Sequence, residues 1–419
     1  MAAPATIRWP IIPWIRHDPL LRTLRGVVRT RRTALPRTVW MLGLVSLLMD
    51  TSSEAIHSVL PLFLAGVLGA SPLVIGLIEG IGEATGAITK LFSGRLSDRI
   101  GRRKGLLIGG YGLAALTKPI FALAPSVSWV LGARFVDRVG KGIRGAPRDA
   151  LVADVTPAGR LGAAYGLRQS LDTIGAVAGP VLALALLALW HDAYRVVFWV
   201  AAIPAAATIV VLALGVREPR RHGAGPAPRP PPLTRDGLAR LGRPFWLATV
   251  TAVLMTMARF SEAFLVLRAA DSGLHAGLAP VIIVAMNMVY ALAGYPVGLL
   301  SDRVGRRGLL GWGLAALIAA DLALGLGHGV VAVLAGGALW GLHMGMTQGV
   351  LSALVADAAP VEARGTAFGL FHLLTGLSML AASLAAGALW SLSGPAAAFL
   401  TGAGFAALAL LLSRAPLRA

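Results

Sequence analysis

The sequence predicts an all-α integral membrane protein of twelve transmembrane helices, arranged as two parallel six-helix halves with both termini in the cytoplasm. Three observations carry that prediction. The composition is too apolar for a soluble domain to bury, twelve separate stretches are long enough to cross a bilayer, and an internal repeat divides the chain near its middle. Of 419 residues, 56% are hydrophobic and 14% charged, against about 25% charged in soluble domains. Mean hydropathy is +0.74. With no cysteine, disulfides, thiolate metal sites and cysteine nucleophiles are excluded.

Crossing the hydrocarbon core takes about 20 apolar residues as helix. Twelve such stretches centre near Met49, Glu83, Leu113, Gly140, Ile174, Pro204, Thr256, Asn287, Leu317, His343, Leu377 and Phe405. Most are rich in Gly, Ala and Leu, and small residues let helices approach closely in lipid. The Gly179-Pro180 pair, Pro204 and Pro296 fall inside spans, where neighbouring helices can satisfy the backbone groups a proline frees.

The distribution of Lys and Arg sets the topology. The N-terminal tail, the loops after spans 2, 4, 6, 8 and 10, and the C-terminal tail together hold 28 basic residues, whereas the opposite loops hold two, Arg195 and Arg268. The positive-inside rule places the basic side in the cytoplasm. The formal charge of +19 is thus a topology signal and an attraction to anionic lipid, not a nucleic-acid patch. Residues 1–38 hold no uninterrupted apolar run and are not expected to be a secretory signal. Residues 20–32 could lie as a basic helix on the inner leaflet or form a loose tail. The Pro- and Arg-rich stretch 217–243 reads as a polar linker.

The repeat is direct. Ala-Leu-Val-Ala-Asp at 150–154 recurs at 353–357, and in register Pro157 matches Pro360, Gly162 matches Gly365, and Gly166-Leu167 match Gly369-Leu370. Residues 94–103 (GRLSDRIGRR) match 298–307 (GLLSDRVGRR). The chain therefore divides into a basic extension 1–38, a bundle 39–216, the linker 217–243, a second bundle 244–414 and a tail 415–419. Two such halves can enclose a midplane site and rock about it.

On these residues the chain resembles the major facilitator superfamily of secondary transporters, and within it the bacterial proton-antiporter and exporter branch. The family's loop signature stands as Gly94, Leu96, Asp98, Arg99, Gly101, Arg102 and Arg103, with a second copy at Gly298, Leu300, Asp302, Arg303, Gly305, Arg306 and Arg307. The resemblance implies a charge network, with Asp98 and Arg99, that latches one state of the cycle at the cytoplasmic face. Span 5 is similar to the antiporter signature at Gly166, Gly175, Gly179 and Pro180, with Ala183 where a final glycine would stand. Span 4 keeps Arg134 but has Asp137 and Arg138 where the family pattern has Gln and Gly, and Asp50 lies eleven residues before Pro61 rather than nine.

An ionisable residue deep in a span costs about 2.5–3.5 kcal/mol by insertion scales, so it should face a cavity or a partner. Candidates for proton coupling or for lining a substrate cavity are Asp50, Glu54 and His57 on one face of span 1, Glu79 and Glu83 in span 2, and Arg134, Asp137, Arg138 and Lys141 in span 4. Arg168 and Asp172 in span 5, Arg259 and Glu262 in span 7, Asn287 and His343 complete the set. Two readings stand side by side. In one these groups pair as structural salt bridges, notably Arg134 with Asp137 and Arg168 with Asp172. In the other Asp50, Glu54, Glu79 or Glu83 carries protons, since none has a base one turn away on its own helix. Lys118 is expected to snorkel at the end of span 3. Asp50, Glu54 and His57 also admit a divalent-metal reading.

The expectation is a proton-coupled transporter of the bacterial inner membrane working by alternating access, exporting a small solute or drug, monomeric, lipid-embedded and without a cofactor. Export of a divalent cation and uptake of an organic anion are the alternatives. An enzyme or sensory scaffold on this architecture is a remote one, since no H-E-x-x-H, G-x-S-x-G or phosphate-loop pattern occurs.

Overall fold

The computed structural model describes residues 35–100, 102–157, 161–190, 193–218, 241–358 and 364–414, without the side chains of 95, 98, 99, 161–163, 294–307, 349, 352, 353, 356–358 and 364–366. The basic stretch 20–32 and most of the linker lie outside them. Among the described residues all regular structure is helical. The first half comprises α1 (Arg37–His57), prolonged by turns at Leu60–Leu62 and Phe63–Val67, then α2 (Pro72–Ile100), α3 (Lys104–Leu123), α4 (Val127–Val155), α5 (Leu161–Leu189) and α6 (Tyr194–Gly215). In the second half α7 (Arg243–Ala258) and α8 (Ala263–Asp271) are two pieces of one span. Then follow α9 (Val281–Leu326), α10 (Gly329–Ala358), α11 (Arg364–Ser393) and α12 (Pro395–Ser413). Local chemistry sets several boundaries. Gly394, at φ 84°, ends α11 in a conformation that suits glycine, and Pro395, whose fixed φ suits a first helical turn, begins α12.

Eleven segments are long and apolar enough to cross a membrane among the described residues. Helix α4, at 29 residues, is long enough to be the twelfth but carries Arg134, Asp137, Arg138, Lys141, Arg144 and Arg148. It hides most of that charge. Arg134, Asp137, Arg138 and Arg144 are buried while Trp129 and Phe135 are exposed, so the apolar face is outermost.

Spans 8 and 9 both lie in α9. Gly337 packs on Ile282 and Gly341 on Met286, parallel to α10, whereas Gly336 packs on Leu324 and Gly313 on Thr347, antiparallel to it. The chain therefore doubles back between the two spans, Ala276–Ala293 and Gly308–Leu326. The halves repeat one packing scheme. In the first, α1 touches α5 and α6, and α3 touches α4 and α6; in the second, α7 touches α11 and α12, and α9 touches α10 and α12. Contact between halves runs through α2 on α11 and α5 on α9. Small residues bring α2 and α11 together: a Cβ on Gly76 would lie 2.2 Å from the Ser383 carbonyl oxygen, and one on Gly376 would lie 2.5 Å from Ala87.

Exposed tryptophans ring both ends. Trp40, Trp246 and Trp312 mark the end where α1 begins, hereafter the basic end, and Trp129, Trp190 and Trp199 mark the far end. Their amphipathic rings suit the two bilayer interfaces. The two far-end arginines are held by helix C-termini, whose free carbonyls favour cations. Arg195 donates to the Ala122 and Ala124 oxygens at 2.6 and 2.8 Å. Arg268 donates to the Leu324 and Gly327 oxygens at 2.7 and 2.9 Å.

Candidate functional site

Two joined chambers lie between the halves and meet at a waist formed by Glu54, Glu83, Arg138, Lys141, Arg259, Gln348 and Met379. One, of about 340 Å³, extends toward the far end along Glu79, Ser261 and Glu262. The other, of about 580 Å³, extends toward the basic end along Asp50, Lys90, Asp149 and Asp172. Glu83, at the middle of its span, has a side chain 38% exposed, while Val59, Leu60, Phe63, Phe264 and Leu265 at the far end are all at most 1% exposed. Helix α8 packs on the Leu60–Leu62 turn there. The cavity is open at the basic end and sealed at the far end.

The charges of α4 divide because the helix sits between α2 and α3. Arg134 and Arg138, one turn apart, face α2: Arg134 Nη2 meets Glu79 Oε2 at 2.5 Å and Arg138 Nη2 meets Glu83 Oε1 at 2.9 Å. Asp137 and Arg144, two turns apart, face α3: Asp137 accepts from Lys118 Nζ at 2.9 Å, and the Arg144 guanidinium lies over the Tyr111 ring at 4.7 Å. The expected Arg134–Asp137 pair is thus replaced by two interhelical pairs. Residues three apart on this helix address different neighbours. Lys118 does not snorkel. It is 0% exposed and also donates to Ser53 Oγ at 3.2 Å. Glu79 and Glu83, without a base one turn away on their own helix, take one from α4.

Asp50 and Glu54 differ from these acids. Among the described residues neither has a Lys or Arg nitrogen within 4 Å; Glu54 has only His57 Nδ1, at 3.6 Å. Helix α5 lies directly behind them. A Cβ on Gly175 would lie 3.0 Å from the Asp50 Cβ, and one on Gly179 would lie 2.8 Å from the Glu54 Cβ. Two motif glycines therefore let α5 press against the carboxylate-bearing face of α1, whereas Gly166 faces open space and Pro180 lies buried within α5. His57 Nε2 contacts the Arg134 guanidinium, and Ser261 Oγ donates to Glu79 Oε2 at 3.3 Å. A relay of Glu54, His57, Arg134, Glu79 and Ser261 thereby reaches from the first half to the break in span 7. Asp50, Glu54 and His57 do not gather as a metal site: no cluster of three or more such ligands occurs among the described residues, and the His57 ring is turned to a cation.

Toward the basic end Arg168 pairs with Asp172, as expected, and also reaches Asp149 at 3.7 Å. Arg259 and Glu262 occupy the non-helical break between α7 and α8 and line the cavity. Asn287 lies outside it and donates to the Ala176 oxygen across the halves at 3.1 Å. His343 is fully buried away from the cavity, with Nδ1 at 2.8 Å from the Gly313 oxygen. In the first loop motif Gly94 packs on Ala146 of α4, Arg102 is exposed, and Arg103 binds Asp154 at 2.8 Å and Ser97 Oγ at 3.1 Å. Its backbone N–H donates to Glu218 at 2.5 Å. The side chains of Asp98, Arg99, Asp302, Arg303, Arg306 and Arg307, residue Gly101, and anything beyond backbone at Gly298 and Gly305 lie outside the description. Asp154 belongs to the second repeated block, so the two repeats meet in one ion pair. Sequence reasoning noted the repetition without seeing the contact. It missed Ser261 and Glu218 altogether, since a lone serine or glutamate carries no pattern.

A family model for the Major Facilitator Superfamily matches residues 42–270 and 262–418. The chain is 32% identical to an uncharacterized MFS-type transporter of Methanocaldococcus jannaschii, over 90% of this chain and 94% of that one. It is 26% identical to the gentisate transporter of Corynebacterium glutamicum over 83% and 78% of the two chains. Among solved structures, the nucleoside transporter NupG superposes with a TM-score of 0.75 at 12% identity, covering 91% of this chain and all of that one, a likeness of fold. Loop motif, duplicated packing, membrane-crossing helices and family match agree: the protein belongs to the Major Facilitator Superfamily, a multi-pass membrane transporter of small molecules and not an enzyme.

Proposed function

We propose that this transporter is a proton-coupled exporter that works as a monomer by alternating access, with both termini in the cytoplasm and the basic tails against anionic lipid. The two bundles, 39–216 and 244–414, rock about the waist, and the cavity open at the basic end is then the cytoplasm-facing state. The observation that carries the coupling is the pair Asp50 and Glu54. They line a cavity connected to solvent, have no Lys or Arg within 4 Å among the described residues, and lie against the antiporter-type glycines of α5. A carboxylate in such a place can load and release a proton without first breaking a salt bridge. The Arg103–Asp154 pair, with the loop motif, holds the basic end of the first bundle in register, and the Ser261–Glu79 hydrogen bond closes the far end.

A growth-inhibition screen of a deletion strain against drugs and organic acids identifies a solute. Flux of that solute in proteoliposomes under an imposed pH gradient then tests the reading. Asp50→Asn or Glu54→Gln should abolish gradient-driven flux while leaving solute exchange at equal pH. Full retention of gradient-driven flux in the double variant would overturn the assignment, and uptake in the direction of proton entry would overturn export.

A further inference from the structure

Seven residues line both chambers, and five of them are ionisable. Their pairing decides which charge is left for a solute. Arg138 and Glu83 neutralise each other at 2.9 Å. Glu54 faces only His57 Nδ1, at 3.6 Å, and has no Lys or Arg partner among the described residues. The cations of the waist left without a carboxylate partner are Lys141 and Arg259. Among the described residues neither has a carboxylate oxygen within the 4 Å of an ion pair, and no hydrogen bond to either side chain occurs. Arg259 Nη1 is buried without a partner. The other unpaired acids lie off the waist: Glu262 lines only the far chamber and Asp50 only the basic-end chamber.

Cations without a carboxylate partner inside a membrane protein call for solvent or a ligand, and here the two belong to different halves. Lys141 stands on α4 of the first bundle, and Arg259 ends α7 of the second. We propose that Lys141 and Arg259 together hold the anionic group of the transported solute, and that this solute is an organic anion with an apolar body. The chemistry suits the residues: a guanidinium fork grips two oxygens of one anionic group, while an ammonium adds a point charge from the opposite side. The apolar part of the lining is supplied by the second half, through Phe260, Val266, Ile283, Met344 and Met379. An anion held from both halves draws them together, so its binding is greater in the closed state than in the open one and favours the rocking motion. The inference rests on this cavity being the transport path and does not depend on the direction of coupling.

Benzoate is a suitable probe, with benzamide as its uncharged isostere, and binding to the purified full-length protein in nanodiscs by calorimetry reads the site without any gradient. Benzoate should bind and benzamide should bind at least about tenfold more weakly, the loss expected when charge-assisted contacts go. Lys141→Gln and Arg259→Gln should each weaken benzoate by about tenfold or more. Lys141→Arg should restore binding, and Arg414→Gln, at the exposed chain end, should leave it unchanged. Equal binding of benzoate and benzamide, or undiminished benzoate binding in the folded double variant Lys141→Gln/Arg259→Gln, would overturn the proposal. Liposomes loaded with a pH dye separate it from the exporter reading. Proton movement provoked by benzyltrimethylammonium and not by benzenesulfonate would sink the anion site and leave coupled transport standing. Movement provoked by benzenesulfonate and lost in Arg259→Gln supports both.

Discussion

Replacing Gly179 by alanine should cost this protein stability and transport, and the same change at Gly166 should cost neither, although both are positions of one span-5 motif. At Gly179 a Cβ would lie 2.7 Å from the Ala55 nitrogen, 2.7 Å from the Thr51 oxygen and 2.8 Å from the Glu54 Cβ. Relaxed contacts begin near 3.4 Å, and backbone atoms cannot swing aside as a side-chain tip can. Helices α1 and α5 must therefore part by about 0.7 Å, an overpacking that costs about 1–3 kcal/mol. The gain in helix propensity from Gly to Ala, about 1 kcal/mol, applies at both sites. The difference between the two variants thus isolates the clash, and should amount to about 1–3 kcal/mol. Gly175, where the nearest atom is the Leu47 oxygen at 2.8 Å, should fall close to Gly179. Thermal unfolding in nanodiscs gives the ranking, and gradient-driven flux in proteoliposomes should follow it, because the displaced face carries Asp50 and Glu54. A Gly179→Ala protein as stable and as active as Gly166→Ala would refute the reasoning.

Lys118→Met strands Asp137 as an unpaired buried carboxylate and should destabilise the protein by about 3–5 kcal/mol, whereas Lys118→Met/Asp137→Leu should recover most of that loss in the same unfolding measurement. The absence of cysteine makes single-cysteine labelling clean. A cysteine at Thr173, which lines the basic-end chamber, should react with an impermeant maleimide in inside-out vesicles and not in intact cells, and the reverse pattern would invert the proposed topology. A cysteine at Ser58, 2% exposed, should be protected in intact cells. Adding Ser261→Ala removes the Ser261–Glu79 hydrogen bond, worth about 1 kcal/mol, and should raise that far-end labelling about fivefold.

The fold was legible because it depends on properties that add along the chain. Apolar length reports each span, and the two repeated blocks report duplication. Partners across helices do not add in this way. The sequence places Arg134 and Asp137 three residues apart, and proximity along the chain suggests a pair. On a helix wedged between α2 and α3, that spacing turns the two side chains to different neighbours, Glu79 and Lys118. Arg168 and Asp172, four apart and so on one face of α5, do pair, although Arg148 and Asp149 of α4 also lie within 4 Å of them. The same limit explains Lys118, whose place near the end of its helix suggested a lipid-facing stem, whereas Asp137 lies within reach inside the bundle.

Helix α4 is the most highly charged of the spans, and it holds most of the cations of the cavity. The two facts have one cause. A helix can cross a bilayer with so many charges only if nearly all of them turn inward, and inward-facing charges must be answered by partners or by solvent. Glu79, Glu83 and Asp137 answer Arg134, Arg138 and Lys118, and the Tyr111 ring answers Arg144. Lys141 has no carboxylate partner among the described residues and is exposed at the waist, which it lines together with Arg259 from the break in span 7. The most charged of the spans is therefore the wall of the proposed transport path, and its unpaired charge is where a solute has most to offer.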